Sequence, residues 1–134
     1  MSQENVELVR SIYADWEHGE FDRVDWAHTE IEFVSVDGPD PGVWRGLGEM
    51  AASFRGWLRL WKEFRLAADE YRSLGSESVI VLDHYSGQGR TSGLDLGHIQ
   101  ARGAWVFQIR DGKVVRMARY LDRDRALAEL GLAE

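Results

Sequence analysis

Gly103 to Leu121, GAWVFQIRDGKVVRMARYL, holds two apolar-rich runs broken once, at Asp111-Gly112. Asp-Gly supplies the positive φ angles of a tight turn, so the stretch reads as a hairpin of two long strands. Two registers fit. A three-residue loop over Arg110-Asp111-Gly112, with a glycine bulge, pairs Ile109 with Lys113 and sets Arg119 opposite Gly103. Trp105 then faces Met117, and the small Gly103 leaves room over the guanidinium. A two-residue turn instead sets Arg119 opposite Ala104 and moves Trp105 to its neighbour's face.

Working outward, His98 to Ile109 is the first strand of this hairpin and Lys113 to Leu121 the second. Ser78 to Gln88 and Phe64 to Arg72 read as earlier strands, with GRTSGLDLG (Gly89 to Gly97) as a flexible hairpin loop. Downstream, Asp122 caps a helix from Arg123 to Leu130 that Gly131 closes. At the start, Val6, Val9, Ile12, Tyr13 and Trp16 share one arc at helical spacing, between a cap at Ser2 and a stop at Gly19. A short second helix is expected over Glu20 to Ala27, then a strand over Ile31 to Val36 in which Ile31, Phe33 and Ser35 share a face. Both prolines fall in the loop Asp37 to Gly42. Trp44-Arg45-Gly46 leads into a helix with the stripe Met50, Phe54, Trp57, Leu58 and Trp61. Helices early and an antiparallel sheet late predict a single α+β domain over residues 1–134, with helices packed on one concave face.

The 134 residues contain no cysteine, so disulfides and thiolate metal sites are excluded. A net charge of -7 argues against nucleic acid, which needs clustered Lys and Arg. The polar N-terminus and the lack of a long apolar run predict no membrane partner and a cytoplasmic protein. The histidines His18, His28, His84 and His98 form no metal-ligand spacing, so neither metal nor cofactor is expected. Six tryptophans stand out. An indole buries a large area yet needs a partner for its N–H, which suits the wall of a partly open cavity as well as a core.

NVELVRSIYADWEHGEFD (Asn5 to Asp22), the VWRG at Val43 to Gly46, and IRDGKVVRMARYLDRDRALAELGL (Ile109 to Leu132) resemble SnoaL-like proteins of the nuclear transport factor two-like superfamily. The likeness spans nearly the whole chain and thins at Val24 to Glu30. It implies a cone-shaped, cystatin-like α+β barrel: a curved antiparallel sheet wrapped around the N-terminal and central helices, with a pocket at its open end. It also implies a homodimer, here through the outer face of the sheet. The superfamily holds polyketide cyclases, isomerases, dehydratases and non-catalytic binding proteins, so chemistry has to be read from the site. Ketosteroid isomerases use a first-helix tyrosine and two aspartates. Those positions fall on Ile12, beside Tyr13, and on Ser35 and Trp105. None is retained, which disfavours that mechanism.

Arg119 is the leading candidate for chemistry. A pocket arginine keeps its charge, so it needs either a carboxylate partner, Asp83 or Glu32, or an anionic ligand. Asp83 and Tyr85 alternate onto one strand face and are expected to point inwards. Asp83, Arg119 and Tyr13 are the catalytic candidates, with Asp83 as base and Arg119 or a tyrosine steadying an oxyanion. Trp16, Trp44, Phe54, Trp57, Trp61, Tyr85, Trp105 and Met117 are the ligand-binding candidates. Two functions stay open: cofactor-free acid–base catalysis on a small apolar carbonyl or acidic compound, and a binding module in which Asp83 and Arg119 form a structural pair.

Overall fold

The computed structural model describes residues 2–37, 41–59, 61–91 and 94–132, with side chains at all of these except 2, 62 and 89–100. Along the chain come helix α1 (Ser2–Glu17), strands β1 (Ala27–Ser35) and β2 (Gly42–Arg45), and helix α2 (Leu47–Arg59). Strands β3 (Trp61–Leu74), β4 (Ser78–Thr91), β5 (Leu94–Arg110) and β6 (Lys113–Tyr120) follow, and helix α3 (Arg123–Leu130) ends the series. The strands form one sheet in the order β2-β1-β6-β5-β4-β3. It is the expected α+β arrangement with one difference: β1 and β6 pair in parallel, while the other neighbours are antiparallel. That pair joins segments from opposite ends of the chain, so no local pattern announces it.

Alternation divides the sheet into two apolar faces. Val79, Val81, Phe107 and Met117 share a core with Val9, Ile12, Tyr13 and Trp16 of α1 and Met50 of α2. The opposite face, with Ile80, Leu82, Ala104, Ala118 and Tyr120, packs against Ala126 and Leu127 of α3. Both helix ends read from the sequence have physical causes. Gly19, at φ 81°, turns the chain out of α1. Asp122 accepts hydrogen bonds from the Asp124 and Arg125 amides, and Gly131 closes α3 in the left-handed conformation.

Four expectations need correction. Glu20 to Ala27 is not a helix but an irregular connection held by local bonds, Trp26 Nε1 to the Arg23 carbonyl (2.8 Å) and the Ala27 amide to the Val24 carbonyl (3.0 Å). Its rings dock on Trp16 rather than forming a stripe of their own. Trp44 and Arg45, read with Gly46 as a lead-in to α2, lie within β2, which pairs with β1. Trp61 opens β3 instead of extending α2, which ends at Arg59. The segment Gly89 to Gly97, read as a loop, is largely strand, with Arg90 paired to Asp95 and Thr91 to Leu94. Ser92 and Gly93 at its centre lie outside the described residues, as do the Ser2 side chain and residues 38–40 of the proline loop.

The hairpin makes the two-residue turn of the second alternative but does not keep its register. Asp111 (φ 52°) and Gly112 (φ 75°) make a two-residue turn that pairs Arg110 with Lys113 and Ile109 with Val114. The register then shifts: Gln108 pairs with Arg116, which leaves Val115 as the extra residue of a bulge. Beyond it Phe107 faces Met117 and Trp105 faces Arg119. The bulge therefore brings the indole and the guanidinium to one face.

Candidate functional site

Asp83 follows the apolar run of β4, and its side chain is fully buried. Arg119 reaches it from β6, across the intervening strand β5. The crossing point is Gly103, the β5 partner of Asp83. A Cβ there would lie 2.6 Å from the Tyr120 carbonyl oxygen and 3.1 Å from Arg119 Nη2, so a side chain would fill the path of the guanidinium. Arg119 Nη1 donates to Asp83 Oδ2 at 2.7 Å. From α1, the Tyr13 hydroxyl donates to the same oxygen, also at 2.7 Å. Asp83 Oδ1 is buried without a hydrogen-bond partner among the described residues.

Aromatic rings flank the arginine, with its guanidinium carbon 5.2 Å from the Tyr85 ring centre and 5.4 Å from that of Trp105. The Tyr85 hydroxyl donates to the Leu121 carbonyl at 2.9 Å, which fixes that ring. Burial works against the Arg119 charge, but Asp83, Tyr13 and Tyr85 together outweigh it, and the arginine pKa lies above its ordinary value. Burial, reinforced by the Asp83 charge, pushes the Tyr13 phenol well above its ordinary range. Tyr13 is thus held as a neutral donor.

Arg119 also borders a cavity of about 580 Å³. Small-molecule pockets run from about 300 to 1,000 Å³, so the space suits a ligand of ordinary size. Trp16 and Phe21 close it on one side. Phe33, Trp105 and Leu66 of the sheet form its floor, and Trp44 of β2 stands beside them. Helix α2 contributes Ala52, Ser53, Phe54 and Trp57 as the facing wall. Its polar lining includes Ser35, Glu49, Ser53 and Arg119.

Of the residues singled out in the sequence, Trp16, Trp44, Phe54, Trp57, Trp105 and Arg119 border this space together. Five do not. Tyr13 and Asp83 stand behind Arg119 in the core, Met117 is wholly buried, Tyr85 lies against the guanidinium, and Trp61 packs on Trp57 and Phe64. Glu32, the other suggested partner of Arg119, instead pairs with Arg45 and Arg116. Phe33, Ser35, Glu49 and Ser53 were not singled out as pocket residues. Phe33 and Ser35 were legible through the strand alternation that places them on one face, whereas the two polar residues of α2 carry no signal at all.

On the other side of β4, Asp69 joins two partners. Its Oδ1 lies 2.7 Å from His84 Nδ1 and its Oδ2 accepts from Arg123 Nη2 at 2.5 Å. Burial raises the Asp69 pKa, but Arg123 and His84 outweigh it, leaving the carboxyl below its ordinary range. Arg123 also donates to the Asp83 carbonyl oxygen, so this cluster ties α3 to the strand that carries the buried acid. Among the described residues, no group of three or more His, Asp or Glu is placed to hold a metal ion. No helix among them is long and apolar enough to cross a membrane.

No family model matches the sequence, and neither does any curated protein. Solved structures do. An NTF2-like protein from Burkholderia thailandensis is similar at 22% identity, with 96% of this chain and 97% of that one covered and a TM-score of 0.76. A candidate SnoaL-like polyketide cyclase from Jannaschia sp. CCS1 is similar at 15% identity, over 96% and 90% of the two chains, with a TM-score of 0.75. TerC, co-crystallised with polyporic acid, is similar at 21% identity, over 95% and 97%, with a TM-score of 0.72. The helices, the curved sheet and these neighbours together give one conclusion: the chain has the nuclear transport factor two-like fold.

Proposed function

We propose that this protein binds a small, largely apolar carbonyl or acidic compound in the aromatic cavity, with Arg119 as the polar anchor. One observation carries the reading. A guanidinium braced by Asp83 and flanked by Tyr85 and Trp105 forms part of the wall of a space otherwise bounded mostly by indole and phenyl rings. Such a group is positioned before the ligand arrives, so little ordering is lost on binding. TerC, of the same fold, was co-crystallised with polyporic acid, which accords with binding of a small molecule by this fold.

The test uses the indoles as the probe. Titrating 2-acetonaphthone should quench tryptophan emission saturably, and Arg119→Lys should weaken binding by about tenfold, because lysine cannot reproduce the planar fork. Quenching that is linear in both proteins would sink the proposal.

The geometry does not favour the second reading, acid–base catalysis with Asp83 as base: its side chain is fully buried behind Arg119 and does not border the cavity, whereas a base must lie within hydrogen-bond reach of the proton it takes. Deuterium exchange at the methyl protons of 2-acetonaphthone, followed by NMR, should therefore stay at background with the protein present, and protein-dependent exchange lost in Asp83→Asn would restore the catalytic reading. Equal exchange with and without the protein argues for binding alone. In either reading a second copy would dock on the outer face of the sheet, and sedimentation would give twice the 15.3 kDa chain mass.

A further inference from the structure

We infer that the cavity selects an uncharged acceptor, the carbonyl of an aromatic ketone, over a carboxylate of the same shape. The inference rests on the pocket reading above and narrows its ligand class. Its basis is charge. Arg119 enters the cavity wall already paired with Asp83, through a 2.7 Å contact between two buried side chains. The pair sums to zero, so the wall presents N–H donors without a net positive charge. A bound carboxylate would leave one uncompensated negative charge among aromatic rings, and such a charge is costly to bury.

Glu49 points the same way. It lines the cavity from the first turn of α2, and its Oε1 accepts the Arg45 amide. It and Arg119 are the charged residues of the lining among the described residues. No second lysine or arginine there stands ready to neutralise an acid. A ketone oxygen, by contrast, can accept from the guanidinium in a charge-assisted hydrogen bond without adding charge. Trp105 and Trp57 line the same space and give an aromatic skeleton apolar contact.

The experiment compares 2-acetonaphthone with 2-naphthoate, two compounds of nearly the same shape, by calorimetric titration of the full chain at neutral pH. The ketone should bind at least about tenfold more tightly, a difference of about 1.4 kcal/mol. Equal or tighter binding of the naphthoate overturns the inference and leaves the pocket reading standing. Binding of neither compound overturns both.

Asp83→Asn gives an independent check, because it removes the compensating charge and keeps the shape. The preference should then swing towards the naphthoate by about tenfold or more. An unchanged ratio in a folded Asp83→Asn protein also overturns the inference. Should that variant not fold, the wild-type comparison decides alone.

Discussion

A methyl group on residue 103 would sit 2.6 Å from the Tyr120 carbonyl oxygen and 3.1 Å from Arg119 Nη2. The first contact is with backbone, which cannot swing aside, and the second is with the group that crosses β5 to reach Asp83. Gly103→Ala should therefore destabilise the fold by about 1–3 kcal/mol, the usual cost of overpacking, as measured by urea unfolding. It should also weaken any ligand that Arg119 holds. Tyr13→Phe is a milder change at the same cluster. It removes one of the two hydrogen bonds to Asp83 Oδ2 and leaves Arg119 in place, so the loss should be about 1 kcal/mol.

The two tyrosine forms should also differ in alkali. Tyr13, and less strongly Tyr71, Tyr85 and Tyr120, have folded pKa values raised first by burial. Above about pH 10 the unfolded chain releases phenol protons that the folded one keeps. The unfolded state then binds fewer protons, so stability falls as pH rises. That contribution is fully present below pH 10 and is lost on going up through the folded values. Urea midpoints for wild type should decline above about pH 10, and Tyr13→Phe should decline less steeply. Parallel profiles would mean that Tyr13 does not titrate apart from its neighbours.

At the scale of whole elements, what could be read from the sequence depended on whether the cause was local. Helix α3 was legible because its signals sit on the chain itself: Asp122 bonds two amides of the first turn and Gly131 takes the left-handed conformation. Asp122→Ala should cost about 0.5–2 kcal/mol, measurable as a lower melting temperature, with the sheet otherwise intact. The Asp111-Gly112 turn was legible for the same reason. The bulge at Val115 was not, since a bulge is set by how two strands meet rather than by composition. It is also what places Trp105 opposite Arg119, so both registers expected from the turn alone misplaced that pair. The four-residue strand β2 is too short to show alternation. The connection after α1 has apolar residues at Phe21, Val24 and Trp26, which imitate a helical stripe while Phe21 and Trp26 dock on Trp16 and Val24 packs on the core.

For the molecule as a whole, the site divides into a part written in residue types and a part written in topology. Tryptophans and an arginine on the inward face of β6 announce a pocket by their chemistry. That Asp83 and Tyr13 stand behind the cavity wall, while Ser53 and Glu49 stand on it, follows from the way α2 lies against the sheet. The same geometry sets the last prediction. Ser53 faces the cavity from α2, so Ser53→Trp would put an indole into the space a ligand would use. In wild type, a ligand present at a hundred times its dissociation constant adds about 2.7 kcal/mol to stability, enough to raise the melting temperature of a chain this size by about ten degrees. The filled variant, melted with the same concentration of 2-acetonaphthone, should show almost none of that rise while unfolding in one cooperative step on its own. A full rise in Ser53→Trp would place the ligand elsewhere on the protein, because no small molecule and a buried indole can occupy one volume at the packing density of a protein interior.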